Sequence, residues 1–161
     1  MTHAIEVRNL IKDYGGGQVV THVLKGIDLT IATGEWVAIM GRSGAGKSTL
    51  MYQMSLLDTP TSGNVIINGR DTHDLSARDK MHFRLYTFGY VFQDYAILPE
   101  LTATENVMLP LLMENMSHAD AREKSAAALE RVGLKDRLHN LPSQLSGGEQ
   151  QRVSKIGRAH V

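Results

Sequence analysis

Between Gly41 and Thr49 the sequence reads GRSGAGKST, and its residue types and spacing fit one job, the wrapping of a string of phosphates. Gly41, Gly44 and Gly46 remove side chains where the chain bends closest to an anion, and Arg42, Ser43 and Ala45 fill the positions between them. The backbone N–H groups of such a loop form a nest for phosphate oxygens, backed by a helix N-terminus. A helix dipole alone offers an anion at most ~2 kcal/mol. Lys47 must therefore add its ammonium, aimed at the β and γ phosphates, and Ser48 its hydroxyl as a ligand to Mg²⁺. These observations imply a nucleoside triphosphate site without saying which reaction it serves. A flexible glycine loop matching by chance is the alternative, and the flanks oppose it. A strand-like apolar run, WVAIM (36–40), leads in, and the helix-like LMYQMSLL follows.

A second cradle lies near the other end. In LSGGEQQR, from Leu145 to Arg152, Ser146 can cap a helix and Glu149 stands three residues on, as a capping box requires. Gly147 and Gly148 let an anion approach the first exposed amides. One nucleotide does not need two cradles. Two copies arranged head to tail, each closing over the other's nucleotide, would use both; a plain capped helix after a flexible turn would explain the second by itself.

The elements that must hold these loops can be read around them. AIEVRNL and IDLTI alternate as half-buried strands, with the glycine-rich turn YGGGQ between. WVAIM and FGYVF (88–92) are expected to be strands, the first covered on both faces. NVIING reads as a further strand after the turn TPTSG, and SARDKMHFRLY as a polar surface helix. Thr102 with Glu105 and Ser117 with Asp120 are N-terminal helix signals, and Gly133 is placed to end the second of those helices. The fold class expected is α/β, a P-loop nucleotide-binding core with a helical segment from about Asp94 to Gln144.

With both motifs in place, the sequence resembles the nucleotide-binding subunits of ABC transporters, from VRNLIKDY through LSGGEQQRV. The resemblance implies an ABC-type P-loop fold, ATP and Mg²⁺ as cofactors, and Leu145–Arg152 as the signature motif. It makes Gln93, ending YVFQ, the glutamine that touches Mg²⁺ and senses the membrane partner. It makes Tyr14, in KDYGGG, the aromatic that stacks on adenine, a contact worth ~1–3 kcal/mol per base in nucleic-acid complexes. Read from the residues alone, an ordinary turn aromatic is the alternative for Tyr14 and a polar strand end the alternative for Gln93, which its place after GYVF argues against. The implied partners are a second nucleotide-binding subunit in a head-to-tail dimer and an integral membrane permease. The implied location is the cytoplasmic face of the inner membrane, held there by the permease. LPELTATENVMLPLLM is similar to the family's docking surface for a coupling helix, and helical core is its other reading. The phrasing is most similar to the branch serving lipoprotein release, macrolide and antimicrobial-peptide export, and a cell-division pair. A nucleotide-dependent scaffold of the cell-division type is the alternative to a transport motor.

The totals set bounds on all of this. A chain of 161 residues, 42% of them apolar, is long enough for one domain with a real core. Seventeen basic and seventeen acidic side chains balance, which argues against a nucleic-acid partner. No cysteine is present for a disulfide or thiolate metal site, and the seven histidines show no ligand spacing. The N-terminus has no signal-peptide pattern, and no apolar run approaches the ~20 residues of a spanning helix. ABC ATPases of DNA repair carry long coiled-coil or zinc insertions that have no counterpart here, and the signature motif argues against a small-molecule kinase. The family continues past the signature with an apolar strand ending Asp-Glu and then a switch histidine, and these residues are not in the sequence. Residues 1–154 are therefore expected to be a partial, C-terminally truncated nucleotide-binding domain with an incomplete core sheet, binding ATP weakly and barely hydrolysing it. Residues 155–161, KIGRAHV, resemble a sequencing-adapter or cloning-type tail, and a natural one-residue insertion is the alternative.

Overall fold

The structure, a computed structural model, describes residues 3–16, 19–92 and 95–157. It divides into two compact units, Met1–Arg84 and Leu85–Val161.

In the first unit the alternating segments pair as expected. β1 (His3–Gly16) and β2 (Val19–Ala32) form a long antiparallel hairpin. β3 (Ser62–Ile67) joins the other edge of β1, and a two-residue β4 (Arg70–Asp71), which has no pattern long enough to be seen in the sequence, joins β3. The sheet order is β2-β1-β3-β4, antiparallel throughout. Inward positions Val7, Leu10, Leu24, Val65 and Ile67 are buried, which is the period-two pattern expressed as a core face. The register slips near Asn9, whose φ of 44° marks a bulge. Gly63 answers that bulge, because a Cβ there would stand 2.3 Å from the Asn9 carbonyl oxygen. The helix after the phosphate loop, α1 (Lys47–Met54), packs on β1 and β2 and buries Leu50, Gln53 and Met54. The polar α2 (Ala77–Thr87) has no buried residue, in keeping with its composition.

Two sequence expectations are overturned. Residues 36–40 and 88–92 join no sheet among the described residues. Trp36 is 99% and Met40 87% exposed, the opposite of a strand covered on both faces. An apolar run supplies the side chains of a buried strand but not its ladder. A strand covered on both faces must be paired into a sheet, and neither run takes a place in the sheet of the first unit among the described residues.

The second unit is helical. α3 (Ala103–Met113) is followed by α4 (His118–Arg131), and α4 leads to α5 (Gly147–Ile156) through short 3-10 turns at Lys135–Arg137 and Pro142–Gln144. The three N-terminal signals are all used. Thr102 and Glu105 close a capping box, Ser117 accepts from the Asp120 amide, and Ser146 and Glu149 close another box. Gly133, at φ 74°, follows α4 in the left-handed conformation that lets the chain turn away. Ala103, Val107, Leu129, Leu134, Leu145 and Val153 form the core, and Met108, Leu111 and Ala121 form a smaller cluster beside α3. The apolar face of VMLPLLM is thus core, with Met113 left exposed at its end. Asn106 is buried among these residues and ties down the preceding loop. Its Oδ1 accepts from the Leu98 amide at 2.7 Å, and its Nδ2 reaches the carbonyls of Leu98, Leu101 and Thr102. Lys155 and Ile156 continue α5, and Ile156 packs against the core.

Candidate functional site

The phosphate loop belongs to the first unit. Gly41, Gly44 and Gly46 all have positive φ (154°, 78° and 85°), so the loop turns in a way side chains resist at both glycines the motif requires, Gly41 and Gly46, and at Gly44 between them. Space adds a second demand at Gly46 alone: a Cβ there would come within 3.1 Å of Val23 and Leu24 on β2. Arg42, Ser43 and Ala45 are exposed, and the Arg42 carbonyl accepts from the Ala45 amide at 3.2 Å to close the turn. Gly46 is the N-cap of α1, so the loop delivers the first amides of a helix to whatever it wraps. The Lys47 ammonium folds back to donate to the Gly41 carbonyl at 3.0 Å and the Arg42 carbonyl at 2.8 Å. It is a cation held over the loop by two carbonyls, both replaceable by stronger phosphate acceptors. Ser48 is exposed on the first turn of α1.

Tyr14 lies near the end of β1, paired with Thr21 on β2, and 41% of it is exposed. Its hydroxyl donates to Asp58 at 2.7 Å, and Asp58 also accepts from Gln53, on the helix that begins at Lys47. The structure thereby brings Tyr14 and the phosphate-loop helix together. The Lys12 ammonium stands 4.7 Å from the Tyr14 ring centroid. The Asp58 bond, aided by burial, raises the Tyr14 pKa above its ordinary 10.0. Burial pushes the Asp58 carboxyl up, but the Lys12 ammonium, the Tyr14 hydroxyl and the Thr59 amide outweigh it and hold the group at about 2. Lys12, Gln53 and Asp58 were not singled out in the sequence. The one available signal is that Lys12 and Tyr14 share a strand face, two residues apart.

The donors fit a triphosphate: positive-φ glycines, a helix N-terminus and one movable ammonium. Among the described residues no group of three His, Asp or Glu side chains could hold a metal unaided. A Mg²⁺ at this loop would take the Ser48 hydroxyl together with phosphate oxygens, the way this cation usually binds at phosphate sites.

The second unit carries the other glycine pair. Ser146, Gly147 and Gly148 are exposed at the start of α5. The Glu149 carboxylate accepts from the Ser146 amide at 2.7 Å, and Arg137 donates to it at 3.2 Å. The Ser146 amide first, then its hydroxyl and Arg137, lower the Glu149 pKa. The Ser146 hydroxyl is itself the cap, accepting from the Glu149 amide. A Cβ on Gly147 would meet the Tyr95 hydroxyl at 3.3 Å. Gln93 lies outside the described residues.

Comparison with known proteins covers both units. The family pattern described as "ABC transporter" matches residues 24–161. The chain is 48% identical over its whole length to the lipoprotein-releasing system ATP-binding protein LolD of Geobacter metallireducens, covering 71% of that protein. It is 46% identical to LolD of Shewanella frigidimarina, covering 65% of it. Against the macrolide export ATP-binding/permease protein MacB of Hyphomonas neptunium, 98% of this chain aligns at 43% identity with 24% of the relative. Among solved structures, the dimeric form of MJ0796, a bacterial ABC transporter cassette, superposes with a TM-score of 0.89 at 38% identity. That match covers 96% of this chain and 68% of the other. A post-hydrolysis MJ0796 dimer bound to ADP and Pi superposes with a TM-score of 0.88.

Proposed function

Because the chain belongs to the ABC transporter family, we propose that it acts as the ATP-binding part of a machine that couples ATP binding and hydrolysis to export or release of a substrate by a membrane-embedded partner. The observation that carries this reading is the Gly41–Thr49 loop, with three positive-φ glycines and the Lys47 ammonium poised over it. In this reading the loop amides and Lys47 bind the β and γ phosphates, Ser48 and Gln93 hold Mg²⁺, and Tyr14 stacks on the adenine. Mg²⁺, when bound with the nucleotide, neutralises charge on the phosphate oxygens. Ser146, Gly147, Gly148 and Glu149 present the opposite cradle to the nucleotide of a second copy, an arrangement supported by the dimeric state of the MJ0796 cassettes.

LolD and MacB are named for lipoprotein release and macrolide export, and that branch is the one proposed. No described helix is long and apolar enough to cross a membrane. In this reading the membrane role passes through a permease partner, with this chain peripheral on its cytoplasmic side.

The test is calorimetric titration of the 161-residue chain with Mg·ATP, beside Lys47→Ala. Removing the one ammonium aimed at the phosphates should weaken binding roughly 10- to 150-fold, the range for a hydrogen bond to a charged group. Equal affinities in the two proteins would sink the assignment.

A further inference from the structure

The nucleotide loop and its tyrosine meet at a carboxylate that neither motif contains. Asp58 Oδ1 accepts from Lys12 Nζ at 2.8 Å and from the Thr59 amide at 2.7 Å. Its Oδ2 accepts from the Tyr14 hydroxyl at 2.7 Å and from Gln53 Nε2 at 2.9 Å. Gln53 is fully buried near the end of α1, the helix that opens with Lys47. Lys12 also donates to the Thr59 carbonyl at 2.7 Å, and the Thr61 hydroxyl accepts from the Asp13 amide at 2.9 Å. One side chain thus joins the strand bearing Tyr14, the helix of the phosphate loop and the turn that follows that helix.

We propose that Asp58 is the positioning residue for base recognition: it anchors the Tyr14 hydroxyl to the phosphate-loop helix and seats Lys12 against one ring face, leaving the opposite face for the adenine. The proposal rests on the reading that Tyr14 stacks on the base. Its physical content is preorganisation. A half-exposed aromatic near a hairpin end has several rotamers, and a base that stacks on it must first stop its motion. Freezing one such side chain in advance improves affinity roughly 2- to 12-fold. The Asp58 bond also ties the ring to α1, so its distance from the phosphates is fixed by the fold and not by the ligand.

The experiment compares the affinities of ATP and inorganic tripolyphosphate, each with Mg²⁺, for the full 161-residue chain and its variants. The ratio of the two isolates what the base contributes. Tyr14→Phe keeps the ring and cuts the tether, Asp58→Ala removes the anchor, and Tyr14→Ala removes the ring. Tyr14→Phe and Asp58→Ala should each lower the ratio roughly 2- to 12-fold, Tyr14→Ala should lower it further, and Tyr14→Phe/Asp58→Ala should do no more than the larger single change. A wild-type ratio in Tyr14→Phe and Asp58→Ala, with a reduced one in Tyr14→Ala, overturns the positioning role and leaves stacking intact. An unchanged ratio in Tyr14→Ala overturns the stacking reading itself. If both ligands weaken equally in Asp58→Ala and Tyr14→Phe, the carboxylate is merely structural and the proposal fails. Should Asp58→Ala not fold, the near-isosteric Tyr14→Phe decides alone.

Discussion

Asp58 also makes a quantitative claim about acid stability. Its carboxyl titrates at about 2 in the folded chain against an ordinary 3.8. At 1.36 kcal/mol per pH unit that gap corresponds to about 2.4 kcal/mol. Because 29% of the side chain is exposed, solvent screening reduces it to about 1–2 kcal/mol. The folded pKa lies below the unfolded one, so this stability is present in full above pH 3.8 and is lost as pH falls from there through about 2. Asp58→Asn keeps the shape and an acceptor for Tyr14 but cannot pair with the Lys12 ammonium. Urea denaturation followed by circular dichroism should show Asp58→Asn less stable than wild type by about 1–2 kcal/mol at pH 7. The difference should shrink steadily below pH 4 and nearly vanish at pH 2. Glu6, Asp79, Glu105 and Glu149 also have lowered pKa values, and these carboxylates are common to both proteins, so they cancel in the comparison. A gap that stays constant from pH 7 to pH 2 would refute the ion-pair reasoning and leave packing as the cause.

Asn106→Ala should destabilise the helical unit by about 2–4 kcal/mol in urea melts, because it strands the Leu98 amide and deprives three carbonyls of a donor. Asn106→Asp should be worse than alanine at pH 7, since it turns a carboxylate toward those carbonyls, and should recover toward alanine in acid; the reverse order would show that the amide is not clasping the loop. Ser146→Ala should cost about 1 kcal/mol as the loss of a helix cap. If Ser146→Ala melts like wild type, the capping box on α5 is ornamental.

Local chemistry was legible in the sequence wherever a residue acts on its own chain neighbours. Thr102, Ser117, Ser146 and Gly133 are found at the helix ends their types announced, because capping is decided within about four residues. The glycines of the phosphate loop are likewise legible, since positive φ is a local demand. Long-range partners were not. Lys12 meets Asp58 across 46 positions, and an aspartate before a turn looks like any other turn residue until the turn is folded against its strand. The apolar runs at 36–40 and 88–92 failed for the same reason from the other side. Their composition announces burial, but a ladder is a property of two segments, and composition describes one.

The open run at 36–40 has a practical consequence. Trp36 is the single tryptophan of the chain and stands 99% in water. Excited selectively, it should emit as an indole in bulk solvent does, long in wavelength and readily quenched by iodide or acrylamide. Any polypeptide that laid a strand along this segment would move that emission to the blue and shield it from quencher. The chain thus carries, at the most exposed large apolar side chain among the described residues, a built-in optical reporter of whether that segment is covered.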